Sequence, residues 1–182
     1  MQTARATIAG IIFVLIAPLA HAASYFSGTV TRIIDGDTVE VLVTKGETKT
    51  PVRVRLVDID APEKGQPYGE KSRQTLAKLI YDVDVTVIDK GSDRYGRTLG
   101  LIVAPDRTIP AGARPIGAMM DVNYVMVVAG MAWAYRYHGK ASSQDYADAE
   151  EHSRSKGVGL WADKNPVEPW KWRRNAKAAG TD

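Results

Sequence analysis

The sequence predicts an α+β fold: a small closed or nearly closed sheet of five strands, with about three helices packed on it. Two observations carry this reading. Up to about residue 105 the chain holds five short, β-branched runs separated by turn residues. Apolar residues at helical spacing interrupt that region once and dominate the C-terminal half of the chain. A chain of 182 residues suits one hydrophobic core and is too short for two.

Residues 27–34 alternate and are rich in β-branched types, and residues 39–43 continue the pattern after the Asp35-Gly36-Asp37 corner. Gly46 marks a polar turn. Residues 52–57 set Val54 and Leu56 against Arg53 and Arg55 on the opposite face, and residues 83–88 and 99–103 complete the strands. The first helix is expected over 68–81, with Leu76, Leu79 and Ile80 on one face and Lys71, Arg73 and Lys78 left to solvent. A second over 121–129 stops at Gly130, and a third over 145–156 follows Ser142-x-x-Asp145 and ends at Gly157. Residues 107–120 carry two prolines and two glycines without a period, and read as a loop insertion. Within the basic, tryptophan-containing tail, residues 175–182 are expected to be mobile.

Residues 1–22 read as a signal peptide. Arg5 precedes an uncharged apolar stretch too short to span a bilayer, and Ala20-His21-Ala22 offers an A-x-A cleavage site. The expected domain is therefore 23–174, in a protein that is secreted or periplasmic, monomeric and without stable membrane association after processing. The absence of cysteine excludes disulfides, zinc-thiolate sites and thiol chemistry. Three histidines, one of them in the signal segment, leave oxygen ligation for any metal. A net charge of +3 says little about a polyanionic partner.

Three segments carry chemistry. Asp35 and Asp37 flank a glycine where one strand must turn into the next. Turn residues explain such a corner by themselves, and an EF-hand does not fit, because a strand stands where its ligands would lie. Residues 55–63 (RLVDIDAPE) bring an arginine to a strand that Pro62 breaks, so Asp60 and Glu63 stand on a rigid exit loop. Arg53 and Asp58 share the five-residue offset of Arg55 and Asp60; the Pro62-Glu63 register favours the latter pair. Residues 93–97 (DRYGR) form a polar turn that adds Arg94, Arg97 and, in Tyr95, a platform for stacking a base. Carboxylates suit a hard cation, and guanidinium forks match a phosphodiester.

The ordered set IDGDTV, RLVDIDAPE, DRYGR, AWAYR, GLW and PW-W-R resembles the staphylococcal nuclease (thermonuclease) family over nearly all of residues 27–174. The resemblance implies an OB-fold, a five-stranded Greek-key barrel with packed helices. It implies Ca²⁺ as cofactor, with Asp37, Asp60 and the carbonyl of Ala61 as ligands. Glu63 would be general base on the attacking water, and Arg55 and Arg97 would grip the scissile phosphate. Tyr135 and Tyr137 fall near the aromatic pair that sandwiches a base. DNA and RNA are the implied substrates, cut chiefly endonucleolytically to leave 3′-phosphate ends. The family's phosphate-gripping lysines have no counterpart in the short segment between Glu63 and Tyr68. The competing reading is a non-catalytic OB-fold nucleic-acid-binding module, which would be expected to lack one or more of Asp37, Arg55, Glu63 and Arg97. All four are present.

Overall fold

The computed structural model describes residues 24–180, so the expected signal peptide lies outside the described residues. Strands β1 (Tyr25–Ile33), β2 (Thr38–Lys45) and β3 (Thr48–Leu56) form a meander. Alternation places Val30, Val39, Val41, Val43, Val54 and Leu56 inside. The β2–β3 hairpin needs only two loop residues, and Gly46 takes the positive φ of 59° such a loop requires. The two-residue strand β4 (Ile59–Asp60) precedes helix α1 (Gly69–Ile80), which buries Leu76, Leu79 and Ile80.

Strands β5 (Asp84–Ser92) and β6 (Thr98–Pro105) complete the barrel. The order is β3-β2-β1-β5-β6, and β3 and β6 close it by parallel pairing of Val54–Leu56 with Thr98–Gly100. Gly100 makes that closure possible: a Cβ there would lie 2.6 Å from Val87 Cγ1 and 2.7 Å from Val54 Cγ1. The result is the five-stranded closed barrel expected from the resemblance.

A short strand β7 (Met119–Asp121) leads into helix α2 (Val122–Val128), N-capped by Asp121, whose carboxylate accepts from Tyr124 N–H at 3.0 Å. Asn123 of α2 is fully buried; it donates to the carbonyls of Val57 (2.9 Å) and Gly100 (3.0 Å) and accepts from Ile102 N–H (3.1 Å). One side chain thus ties the end of β3 to β6. Strand β8 (Trp133–Ala134) pairs with β4, and β9 (Arg136–Tyr137) with β10 (Lys140–Ala141). Helix α3 (Gln144–Ser155), a 3₁₀ turn (Gly159–Ala162) and helix α4 (Pro169–Ala178) come next. The three expected helices are present within one residue at each end, and α4 is a fourth. The expected boundary at 174 falls inside it.

Residues 107–118 form a loop between β6 and β7, but Met119 and Met120 belong to the sheet, with Met120 buried. No residue of 107–120 borders the main cavity. Loop closure entropy changes only logarithmically with length. Replacing 107–118 with a short glycine-containing turn is therefore expected to preserve fold and catalytic rate, with at most a modest rise in KM. A loss of kcat by orders of magnitude in a folded deletion would show that the loop helps build the site.

Candidate active site

The site begins at the β1–β2 corner. The backbone around Gly36 is packed so closely that a Cβ there would overlap Ser72 Oγ of α1 and lie 2.7 Å from Ala61 Cβ. Glycine is needed here for close approach, since Gly36 is not among the positive-φ residues. That contact holds Asp37 against the exit loop of β4: its Oδ2 accepts from Ala61 N–H at 2.8 Å and its Oδ1 from Thr38 Oγ1 at 3.1 Å. Asp35 Oδ1 in turn accepts from Asp37 N–H at 3.0 Å. Burial, reinforced by the neighbouring Asp37 charge, pushes the Asp35 carboxyl up to about 7.

Arg55, at the end of β3, bridges the two segments. Its Nη1 lies 2.5 Å from Asp37 Oδ2 and its Nη2 3.1 Å from Asp60 Oδ1. Burial works against this guanidinium, but Asp37, Asp60 and Asp35 outweigh it and raise its pKa. Asp60 is buried on β4, where strand β8 holds it through the pairing with Trp133. Burial raises the Asp60 pKa, against the opposing hydrogen bonds of Arg173. Strand β8 is itself anchored by the buried Glu150 of α3. That carboxylate accepts from Ala134 N–H (2.7 Å), from Arg136 (2.9 Å at each oxygen) and from Arg154 (3.1 Å).

On the β5–β6 connection, Asp93 organises the turn by accepting from Tyr95 N–H (2.9 Å), Arg97 N–H (3.0 Å) and Arg97 Nε (2.7 Å). Arg97 Nη1 reaches within 3.5 Å of Thr38 Oγ1, beside Asp37. The exposed Tyr95 ring is flanked by the guanidinium groups of Arg94 at 4.8 Å and Arg97 at 5.6 Å.

Asp37, Arg55, Ala61, Glu63, Arg94, Tyr95, Arg97 and Tyr135 all border one cavity of about 930 Å³. Asp58 borders it too, in a left-handed turn with φ 65°, but makes no ion pair with the described residues; its carbonyl accepts from Tyr135 N–H at 2.8 Å. The five-residue offset that joins Arg55 to Asp60 has no such counterpart for Arg53, which lies exposed opposite Glu40. Tyr137 is not brought to the cavity. It sits on the β9–β10 ribbon, exposed, with its ring 4.2 Å from that of His138.

Sequence reasoning missed Arg173. This residue of α4 grips Asp60 with both nitrogens, Nη1 to Oδ1 at 3.0 Å and Nη2 to Oδ2 at 2.8 Å. It also donates to Glu63 Oε1 at 2.5 Å. A signal existed: Pro169 at the first helical position begins a helix, and Trp170, Arg173, Arg174 and Lys177 then share one face.

Asp37 and Asp60 supply hard oxygen donors close together, joined through Arg55, with the Ala61 N–H on Asp37. No group of three or more acidic or histidine side chains among the described residues is arranged to enclose a cation. A cation here would take two carboxylates and complete its shell with backbone oxygen and water. That coordination suits Ca²⁺, whose oxygen shell is flexible. The donor chemistry suits the ion, but Arg55 and Arg173 engage the Asp37 and Asp60 oxygens here, and the buried Asp60 is not among the residues bordering the cavity.

A family model described as "Staphylococcal nuclease homologue" matches residues 53–163. The chain is 45% identical over 175 residues to "Micrococcal nuclease" of Shigella flexneri, covering 96% of this chain and 94% of that protein. It is 51% identical over 149 residues to "Protein ParB" of Escherichia coli, covering 82% and 80%. An "Uncharacterized endonuclease" of Haemophilus influenzae is 43% identical over 148 residues, covering 81% of this chain and 73% of that one. With the barrel, the arginine-bridged carboxylates and these matches together, the chain belongs to the staphylococcal nuclease homologue family.

Proposed function

We propose that the protein is an exported, Ca²⁺-dependent nuclease that hydrolyses the phosphodiester bonds of DNA and RNA, cutting within the strand and leaving 3′-phosphate ends. The observation that supports this best is the convergence of Arg55, Glu63 and Arg97 on the cavity that Asp37 borders. Hydrolysis builds negative charge on a five-coordinate phosphorus. Two fixed guanidinium groups aimed at its equatorial oxygens stabilise that charge more than the ground state. Glu63 takes the proton of a water whose oxygen bonds to phosphorus, and the P–O5′ bond breaks as the 5′ oxygen takes a proton from solvent water and leaves as an alcohol. When bound at Asp37, Asp60 and the Ala61 carbonyl, Ca²⁺ would supply positive charge to the phosphate and to the attacking water. Asp93 keeps Arg97 extended toward Thr38, and the Tyr95 face offers stacking to any base. Export rests on the apolar stretch and A-x-A site in residues 1–22.

The test is cleavage of plasmid DNA and of RNA by the mature protein with Ca²⁺, with Mg²⁺ and with EGTA. Cleavage is expected in Ca²⁺ only, because Mg²⁺ demands tight octahedral geometry and sheds water reluctantly. Full cleavage in Mg²⁺ with calcium chelated would sink the calcium assignment. Absence of cleavage under all three conditions would sink the nuclease reading.

A further inference from the structure

We propose that helix α4 forms a second phosphate-binding wall, on which Arg174 and Lys177 engage the strand beyond the phosphate held by Arg55 and Arg97; this rests on the nuclease reading above. The helix carries four cations and no acid in ten residues. Lys171 is engaged by Glu168 at 2.7 Å, and Arg173 by Asp60 and Glu63. The side chains of Arg174 and Lys177 make no ion pair with any described residue, yet both border the same cavity as Arg55 and Arg97.

Their placement is fixed from three sides. Trp170 packs on the Trp133, Leu160 and Trp161 cluster, Gln66 Nε2 donates to the Val167 carbonyl at 2.6 Å, and Arg173 ties the helix to β4. Arg174 and Lys177 are three residues apart, about 4.5 Å along the axis, and so share one helix face from which both can reach along a strand. Exposed, unpaired cations on an anchored helix beside a polyanion site fit a phosphodiester backbone, which needs charge and no base readout.

The experiment is equilibrium binding of a fluorescein-labelled 12-residue oligothymidylate by the full mature chain in EDTA, followed across salt concentration. The double variant Arg174→Ala/Lys177→Ala is expected to weaken binding about tenfold at moderate salt. It should reduce the magnitude of the log–log salt slope by roughly 1.4, about 0.7 for each lost single-strand phosphate contact. Arg174→Lys should retain the slope, and Lys171→Ala, which removes one cation of the same helix away from the cavity, should match the parent protein. An unchanged slope in the double variant overturns the proposal, as does an equal drop from Lys171→Ala. Cleavage by the parent protein with no slope change would remove the wall and keep the nuclease. A slope change without cleavage under any cation would do the reverse.

Discussion

Arg55→Ala is expected to lower kcat by roughly 10²–10³, the usual consequence of removing one preorganised donor to developing charge. Asp60→Ala should be comparably damaging, because it removes a proposed cation ligand and frees two guanidinium groups, Arg55 and Arg173, from their shared anchor. Arg53→Ala and Asp58→Ala should cost far less, since Arg53 is exposed on the strand and Asp58 has no ionic partner among the described residues. Steady-state kinetics on a single-stranded oligonucleotide, with thermal melts to confirm folding, separates the two pairs. If Asp58→Ala is the inactive variant while Asp60→Ala still cuts, the functional register lies two residues earlier and the site must be reassigned with it.

The largest expected effect on stability comes from Glu150→Ala. Glu150 is buried and serves three donors at once: the backbone of β8, Arg136 and Arg154. Removing one partner of a buried ionic cluster leaves the others uncompensated and costs roughly 3–5 kcal/mol. Urea unfolding should show that loss as a lower midpoint at unchanged slope. Glu150→Gln keeps an acceptor for Ala134 and should cost less. Because β8 holds β4, the alanine variant should also lose activity below its melting temperature, through displacement of Asp60. A variant with parental stability would mean that the β4 pairing and the Trp133–Trp161 contact suffice to hold β8.

The barrel was legible because each strand advertises one buried face through β-branched alternation, and one turn chemistry separates it from the next. Asp37, Arg55, Glu63 and Arg97 were singled out by the resemblance rather than by local spacing, and the structure brings all four to one cavity. Arg173 was not, because its partners lie 110 and 113 residues away, and the helical face it shares with Trp170 and Lys177 does not say what that face meets. Its helix, with two tryptophans and four cations, carries too narrow an apolar stripe to read as a packed element; ionic and aromatic anchors seat it instead. Tyr137 was placed by the resemblance alone; in the structure the chain leaves β8 at Tyr135, and Tyr137 lies on the separate β9–β10 ribbon, away from the cavity that Tyr135 borders.

The parallel seam between β3 and β6 has a consequence for the life of the chain before it is folded. Arg55 sits within that seam and Arg97 immediately before it, so the two guanidinium groups come into register only when the barrel shuts. Segments joined this late in sequence lose their closure entropy before gaining contact, and such contacts form slowly. An open or threaded chain therefore holds its arginines apart and has no centre with which to cut. If the chain is exported unfolded, in line with the proposed function, it would pass the nucleic acids of its own cell in that harmless state and become active only on closing at its destination.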